Sequence, residues 1–256
     1  MRIISVDIGD FDRLFYPVVP LIVLAEHEGV VDAMVATWWA SVSYNPPRLA
    51  VSIAPERLTY RLIAESGRFG VSAVSVEYFD RLLFLGDFSG RFLRDKVERS
   101  GFTIVRGSAL GVPMIGEAYA SAELKVWRII DVGDHDLVIG DVVAVYGLSS
   151  FKGVWRIEDF KPILYLGRVR EPGLKRAYID IEKARTAIAE VRYDESLMEA
   201  REARRRLLDE VSSVVETSPS LEEAERRVVE TVKRYGLDER DARYLLKEAL
   251  KRLKTV

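Results

Sequence analysis

The chain contains no cysteine, so disulfides, thiolate nucleophiles and the usual soft metal ligands are closed to it. With only two histidines, His27 and His135, a zinc site would have to lean on carboxylates. Any redox work must therefore be done by a bound cofactor. Glutamine is also missing and asparagine occurs once, at Asn45, while charged residues reach 30%; loss of thermolabile amides beside abundant Arg and Glu points to a hot environment. Apolar runs such as Tyr16 to Ala25 are too short to span a bilayer, and the start of the chain has no basic region leading into an apolar one. A cytoplasmic protein with no membrane role is expected. The formal net charge of −2 argues against the footprint of a nucleic-acid binder.

Several catalytic signatures are absent too. No Gly-x-Gly-x-x-Gly fingerprint of a dinucleotide fold occurs, nor the Gly-Lys-Ser/Thr of a P-loop, nor the Gly-x-Ser-x-Gly elbow of hydrolases. His135 lies between Asp134 and Asp136, and serines are plentiful, but no spacing selects a triad.

What is present divides the 256 residues in two. Up to about Lys161, short apolar runs alternate with Gly, Pro and Asp signals, the pattern of strands. Candidates are Val18–Glu26, Met34–Ser41, Arg48–Ile53, Phe69–Val76, Gly101–Arg106, Ala118–Asp131, Asp136–Tyr146 and Ile163–Leu166. Helices are expected at Leu58–Ser66, Phe79–Leu85 and Phe92–Ser100, none long enough to serve as the crossover of a repeating βαβ unit. From 174 to 256 the chain carries 19 Lys or Arg and 18 Asp or Glu with few aromatics. Ala200, Ala203, Leu207, Val211 and Val214 mark one helix face. Ser220 with Glu223 forms a capping box for a second helix, and Asp238 caps a third. A mainly β domain at 1–173 and a helical extension at 174–256 are expected.

The stretch "TWWASVSYNPPRLAVSIAPERLTY", residues 37–60, gathers the parts needed to hold a phosphorylated aromatic group. Trp38 and Trp39 are adjacent on a strand, so one ring can wall a ligand while the other packs. Arg57 and Thr59 fall where a strand gives way to a helix, a ready phosphate site; the plainer reading makes Thr59 a helix cap and Arg57 a surface charge.

The order of motifs resembles the flavin reductase-like (flavoredoxin-type) family with the FMN-binding split-barrel fold. The blocks are "DAMVATWWASVSYNPPRLAVSIAPERLTYRLIAESGRFGVSAV" (Asp32–Val74), "FSGRFLRDK" (Phe88–Lys96), "VPMIGEAYASAELKV" (Val112–Val126), "DVGDHDLVIGDVVAV" (Asp131–Val145) and "KPILYLGR" (Lys161–Arg168). The resemblance implies a homodimer of six-stranded Greek-key barrels with FMN at each end of the interface. Carried onto matching positions, Ala36, Thr37 and Trp38 would line the ring and ribityl chain, and Ser52 and Ile53 would present backbone to it. Arg57, Thr59 and Tyr60 would hold the phosphate, aided by Ser89 and Lys96, with His135 and Tyr165 near the flavin or the neighbouring subunit. Asp32 and Val35 depart from the Asn and Thr common in the family, which would place a negative charge near the cofactor and remove a polar contact. The tail beyond 174 falls outside the resemblance and would strengthen the dimer, cover the flavin or dock another protein.

The implied activity is FMN-dependent oxidation of NAD(P)H, passing electrons to free flavin or to a redox partner protein. The alternatives are an FMN-binding electron carrier without nicotinamide activity and a flavin-free scaffold.

Overall fold

A computed structural model describes residues 4–156, 160–169, 172–173, 175–181, 185–190 and 192–253. After two short 3-10 turns, Ile8–Asp10 and Arg13–Phe15, come strands β1 (Leu21–His27), β2 (Val30–Ala36), β3 (Trp39–Tyr44) and β4 (Pro47–Ile53). Helix α1 (Leu58–Ser66), β5 (Arg68–Ala73), α2 (Phe79–Asp87), the single turn α3 (Lys96–Arg99), and the short pair β6 (Ile104–Arg106) and β7 (Pro113–Ile115) follow. Two long strands, β8 (Ala120–Asp131) and β9 (Asp136–Gly147), then lead to β10 (Leu164–Arg168), β11 (Lys175–Asp180) and β12 (Arg185–Glu190). Three helices complete the chain: α4 (Glu195–Glu216), α5 (Leu221–Arg234) and α6 (Glu239–Leu253).

The main sheet has seven antiparallel strands in the order β2-β1-β5-β8-β9-β4-β3. Its two edge strands are consecutive in the chain, joined only through Thr37 and Trp38, so the sheet curls without a β2–β3 ladder among the described residues. This is the split-barrel form, with seven strands rather than six. The run Met34–Ser41, expected as one strand, is interrupted there.

Strand β1 reads as an unbroken apolar run because both its faces are covered. Leu21, Val23 and Ala25 point into the barrel interior with Leu62 and Ile63 of α1 and Phe69 of β5, while Ile22 and Leu24 pack beneath α2 against Phe79, Leu82 and Leu85. Each such side chain contributes roughly 1.5–3 kcal/mol on full burial. Helix α1 stops at Gly67, whose φ of 67° allows the left-handed closing turn and whose N–H donates to the Ile63 carbonyl.

The expected helical region starts later than 174. Residues 175–180 and 185–190 are strands, paired with each other and with β10 in a three-stranded sheet. The charge density of this stretch masked its short alternation, Ala177 and Ile179, and the period of three and four begins only near Ala200. From there the reading holds: Leu207 and Val211 are buried with Val228, Val232, Leu245 and Ala249 in a core of their own. Ser220 Oγ accepts from the Glu223 N–H at 3.2 Å, and Asp238 Oδ1 accepts from the N–H groups of Arg240 and Asp241.

Buried charges join the parts. Arg91, after α2, pairs with Asp241 of α6, both almost fully enclosed, and its Nε donates to the Glu56 carbonyl at 2.6 Å. Burial, with Arg61 nearby, pulls its guanidinium down to about 10. Asp87 of α2 receives Arg176 of β11 and the Tyr193 hydroxyl.

A further buried carboxylate, Glu123 on β8, organises the loop before β7. It accepts the N–H groups of Ala109 and Leu110 at 2.8 and 2.6 Å and the Tyr146 hydroxyl. Burial opposes its ionisation, but those hydrogen bonds, led by Tyr146, outweigh it and hold the carboxyl below its ordinary 4.5. The stabilisation is therefore fully present above pH 4.5 and is lost as pH falls through the lower folded-state value. In Glu123→Gln the acid limb of a stability-versus-pH curve is expected to flatten below pH 4.5; an unchanged acid limb in denaturant titrations would refute the assignment.

Candidate functional site

At the break between β2 and β3 the chain turns through Thr37 and Trp38 at one rim of the barrel. The end of β4 and the start of α1 lie beside them, because Ser52 N–H donates to the Trp38 carbonyl at 2.9 Å. A groove of ≈ 280 Å³ opens here. Its aromatic end is Trp38 against His135, ring centres 5.0 Å apart, with His135 Nδ1 2.9 Å from Asp134 Oδ1. Trp39 turns the other way, its indole N–H donating to the Val19 carbonyl at 2.7 Å. The two adjacent tryptophans thus divide wall and packing roles as their alternation predicts.

The opposite side of the groove is built by the segment before β1. Tyr16 places its hydroxyl 3.3 Å from both Thr37 Oγ1 and Asp12 Oδ2, and Asp12 and Arg13 line the groove with it. Tyr165 of β10 is held there by paired backbone bonds with Val18 at 3.0 and 2.9 Å. Arg57 and Arg168 also line the groove. Arg57 precedes α1, which has no side-chain cap on its first N–H groups, and it forms no ion pair among the described residues. An uncapped helix start beside a guanidinium favours an anion.

Arg57 and Arg168 also line a second cleft of ≈ 660 Å³ between α2 and α4, which contains Ser89. Groove and cleft are therefore neighbours that share Arg57 and Arg168.

Of the expected site residues, Ala36, Thr37, Trp38, Ser52, Arg57, His135 and Tyr165 meet in the groove, and Ser89 lines the adjoining cleft. Four do not. Ile53 is fully buried in the barrel interior. Tyr60 donates to Asp136 Oδ2 at 2.5 Å and faces a separate cleft beside α6 with Arg61 and Tyr244. Thr59 is wholly buried and neither caps α1 nor faces the groove: its hydroxyl donates to Asp32 Oδ2 at 2.6 Å. Lys96, 3% exposed, pairs with Asp32 Oδ1 at 3.1 Å and donates to the Phe88 carbonyl at 3.2 Å. Ser52 does line the groove, but its backbone N–H is already committed to Trp38.

Asp32 therefore does not bring an uncompensated negative charge to the groove. Burial pulls the Lys96 ammonium below its ordinary value and the Asp32 charge opposes that shift. Gly90 completes the enclosure: a Cβ there would lie 2.3 Å from Asp32 Oδ1, so only glycine lets the loop close over the carboxylate. Val35 lines the groove as an apolar wall.

Asp12, Arg13 and Tyr16 carry no local signal in the sequence and reach the groove only through the fold. Arg168 ended a recognised block without being assigned a role. Among the described residues there is no group of three or more His, Asp or Glu side chains placed to hold a metal, and no helix is long and apolar enough to cross a membrane.

Lys96→Met should leave Asp32 buried and unpaired at a cost of about 3–5 kcal/mol. The double variant Asp32→Asn/Lys96→Met should lose much less; equal losses in chemical unfolding would count against the pair.

Comparison with known proteins places these features in a wider group. The family model described as Flavin reductase like domain matches residues 12–171. An uncharacterised protein of Aeropyrum pernix is 42% identical over 249 residues, 95% of this chain and 93% of that one. A ferric-chelate reductase (NAD(P)H) of Archaeoglobus fulgidus is 30% identical over 138 residues, 54% of this chain and 79% of its own length. Among solved structures, an FMN-binding protein from Thermus thermophilus, crystallised with p-hydroxybenzaldehyde, superposes with a TM-score of 0.54 at 30% identity, covering 76% of this chain and 99% of that one.

Proposed function

The chain belongs to the flavin reductase-like family, and from that membership we propose that it is an FMN-dependent NAD(P)H oxidoreductase whose flavin lies along the groove. The observation that carries the reading is the lining of the groove, which brings the Trp38–His135 pair together with Arg57 at the uncapped start of α1. This donor set fits a phosphorylated aromatic group. Trp38 and Val35 offer apolar walls for a ring, Thr37 and Tyr16 offer hydroxyls along its side chain, and Arg57 with the first N–H groups of α1 offers charge and donors for a phosphate. When bound, FMN supplies acceptance of hydride from a nicotinamide and onward transfer of electrons. The protein's own share is to orient the ring, exclude water from its buried side and leave the opposite face reachable. No thiol is required of the chain for this chemistry, and it has none.

The test is the visible spectrum of the purified protein before and after excess FMN, followed by oxidation of NADH and NADPH with free flavin or a ferric chelate as acceptor. Retained flavin near one per chain with nicotinamide oxidation is expected, and Arg57→Ala should weaken FMN binding on the order of tenfold or more. Bound flavin that dithionite reduces but neither nicotinamide does would replace the enzyme with an electron carrier. If no flavin is bound and no nicotinamide oxidised, the proposal is wrong.

The same reading includes a homodimer. The main sheet exposes several large apolar side chains, Val42, Tyr44, Trp127, Val143 and Val145, of the kind that mark interaction surfaces when they cluster. An apolar depression of ≈ 530 Å³ beside it is lined by Trp39, Leu49, Phe151 and Trp155. A self-complementary contact across this face would follow from twofold symmetry. Sedimentation should give a dimer, and Val145→Glu, at a side chain 72% exposed, should shift it toward folded monomer; a monomeric wild type would discard the interface.

A further inference from the structure

The cleft beside the groove is not built by the matched residues 12–171 alone. The cleft that continues from Arg57 and Arg168 past Ser89 is closed on its far side by α4, with Arg201, Glu202, Arg204 and Arg205 lining it. Most charges there are already matched. Arg204 binds Glu248 and Tyr244, Arg205 pairs with Glu202, and Asp87 is taken by Arg176 and Tyr193.

Arg201 differs. Its guanidinium stacks over Phe88, 5.7 Å from the ring centre, and its Nη1 is buried without a hydrogen-bond acceptor among the described residues. A buried donor atom left without an acceptor is costly, and such an atom calls for an explanation, of which a bound anion is one. Arg57 on the barrel side has no ion-pair partner among the described residues, and Arg168 reaches Asp87 only at 3.9 Å. Arg57, Arg168, Arg201 and Ser89 thus line one cleft, and among the described residues Arg57 has no ion pair and Arg201 Nη1 no acceptor.

We propose that Arg201 of the helical extension is a phosphate ligand in this cleft, beside Arg57, Arg168 and Ser89, so that the extension forms one wall of the nucleotide site. The ligand class is a phosphate monoester or diester carried by a flavin or a nucleotide. For the flavin this rests on the function proposed above; the anion site itself rests on the orphaned guanidinium. Burial also lowers the Arg201 guanidinium from its ordinary value, with Asp87 opposing, the direction a pairing anion would reverse.

The experiment compares FMN with riboflavin, which lacks the phosphate, by fluorescence titration of the full chain. Arg201→Met keeps the aliphatic stem over Phe88, and Arg201→Lys keeps the charge without the planar fork. Wild type should bind FMN more tightly than riboflavin. Arg201→Met should lose FMN affinity on the order of 10- to 100-fold with riboflavin unchanged, and Arg201→Lys should fall between. Equal loss of both ligands, or no loss of either, overturns the assignment. If wild type binds neither flavin, the function proposed above fails instead, and thermal unfolding with inorganic phosphate decides the anion site. Stabilisation of wild type that is absent in Arg201→Met upholds it; the same response in both proteins rejects it.

Discussion

The buried carboxylate of Asp32 is the constraint on which the site depends. It sits on β2, a strand that ends at the groove, and holds two elements to it at once: α1 through the Thr59 hydroxyl and the start of α3 through the Lys96 ammonium. Taking those charges out of water costs several kcal/mol per ion, and the cost is met only because each oxygen has a partner and Gly90 lets the backbone close over them. With α1 pinned in this way, its uncapped start and Arg57 face the groove. The Asp32 charge is therefore compensated inside the protein, and the groove keeps Trp38, His135 and Arg57 in its lining.

The same device recurs at larger scale. Asp241 of α6 meets Arg91, Asp87 of α2 meets Arg176 of β11 and Tyr193, and Arg61 of α1 meets Asp238. Each joint unites segments that are far apart in the chain, so the barrel, the small sheet and the three helices are fixed relative to one another. Exposed ion pairs contribute little on their own, but enclosed pairs such as Arg91–Asp241 penalise any arrangement that separates the partners. The helical extension is in this sense part of the architecture around the groove and cleft.

Composition and site agree. A chain without cysteine and with two histidines offers little thiol or imidazole chemistry of its own, which agrees with the proposed function, in which a bound flavin is the reactive part. What the fold contributes is the gathering of these groups: a wall at Trp38, an adjoining ring at His135, and positive charge at Arg57 and Arg168 in one lining.

The strands of the barrel were legible because burial on one or both faces imposes a period of two or an unbroken apolar run, and the last three helices because caps at Ser220 and Asp238 and a stripe through Leu207 and Val211 are local signals. Trp38, Thr37 and Arg57 could be named for the same reason, since the turn that gathers them lies within one stretch of chain. Thr59, Tyr60 and Lys96 could not be placed, because a hydroxyl or ammonium takes whichever acceptor the fold brings near, and their acceptors lie on other strands: Asp32 on β2 and Asp136 on β9. Strands β11 and β12 were hidden by charges whose partners lie elsewhere. The sequence by itself determined which segments are strands or helices and which residues bear aromatic faces or charge, because periodicity and capping are local. Only the tertiary structure decided which of those charges are spent inside the protein and which remain for a ligand, because that depends on pairings between distant segments in a medium where every buried polar group must find a partner.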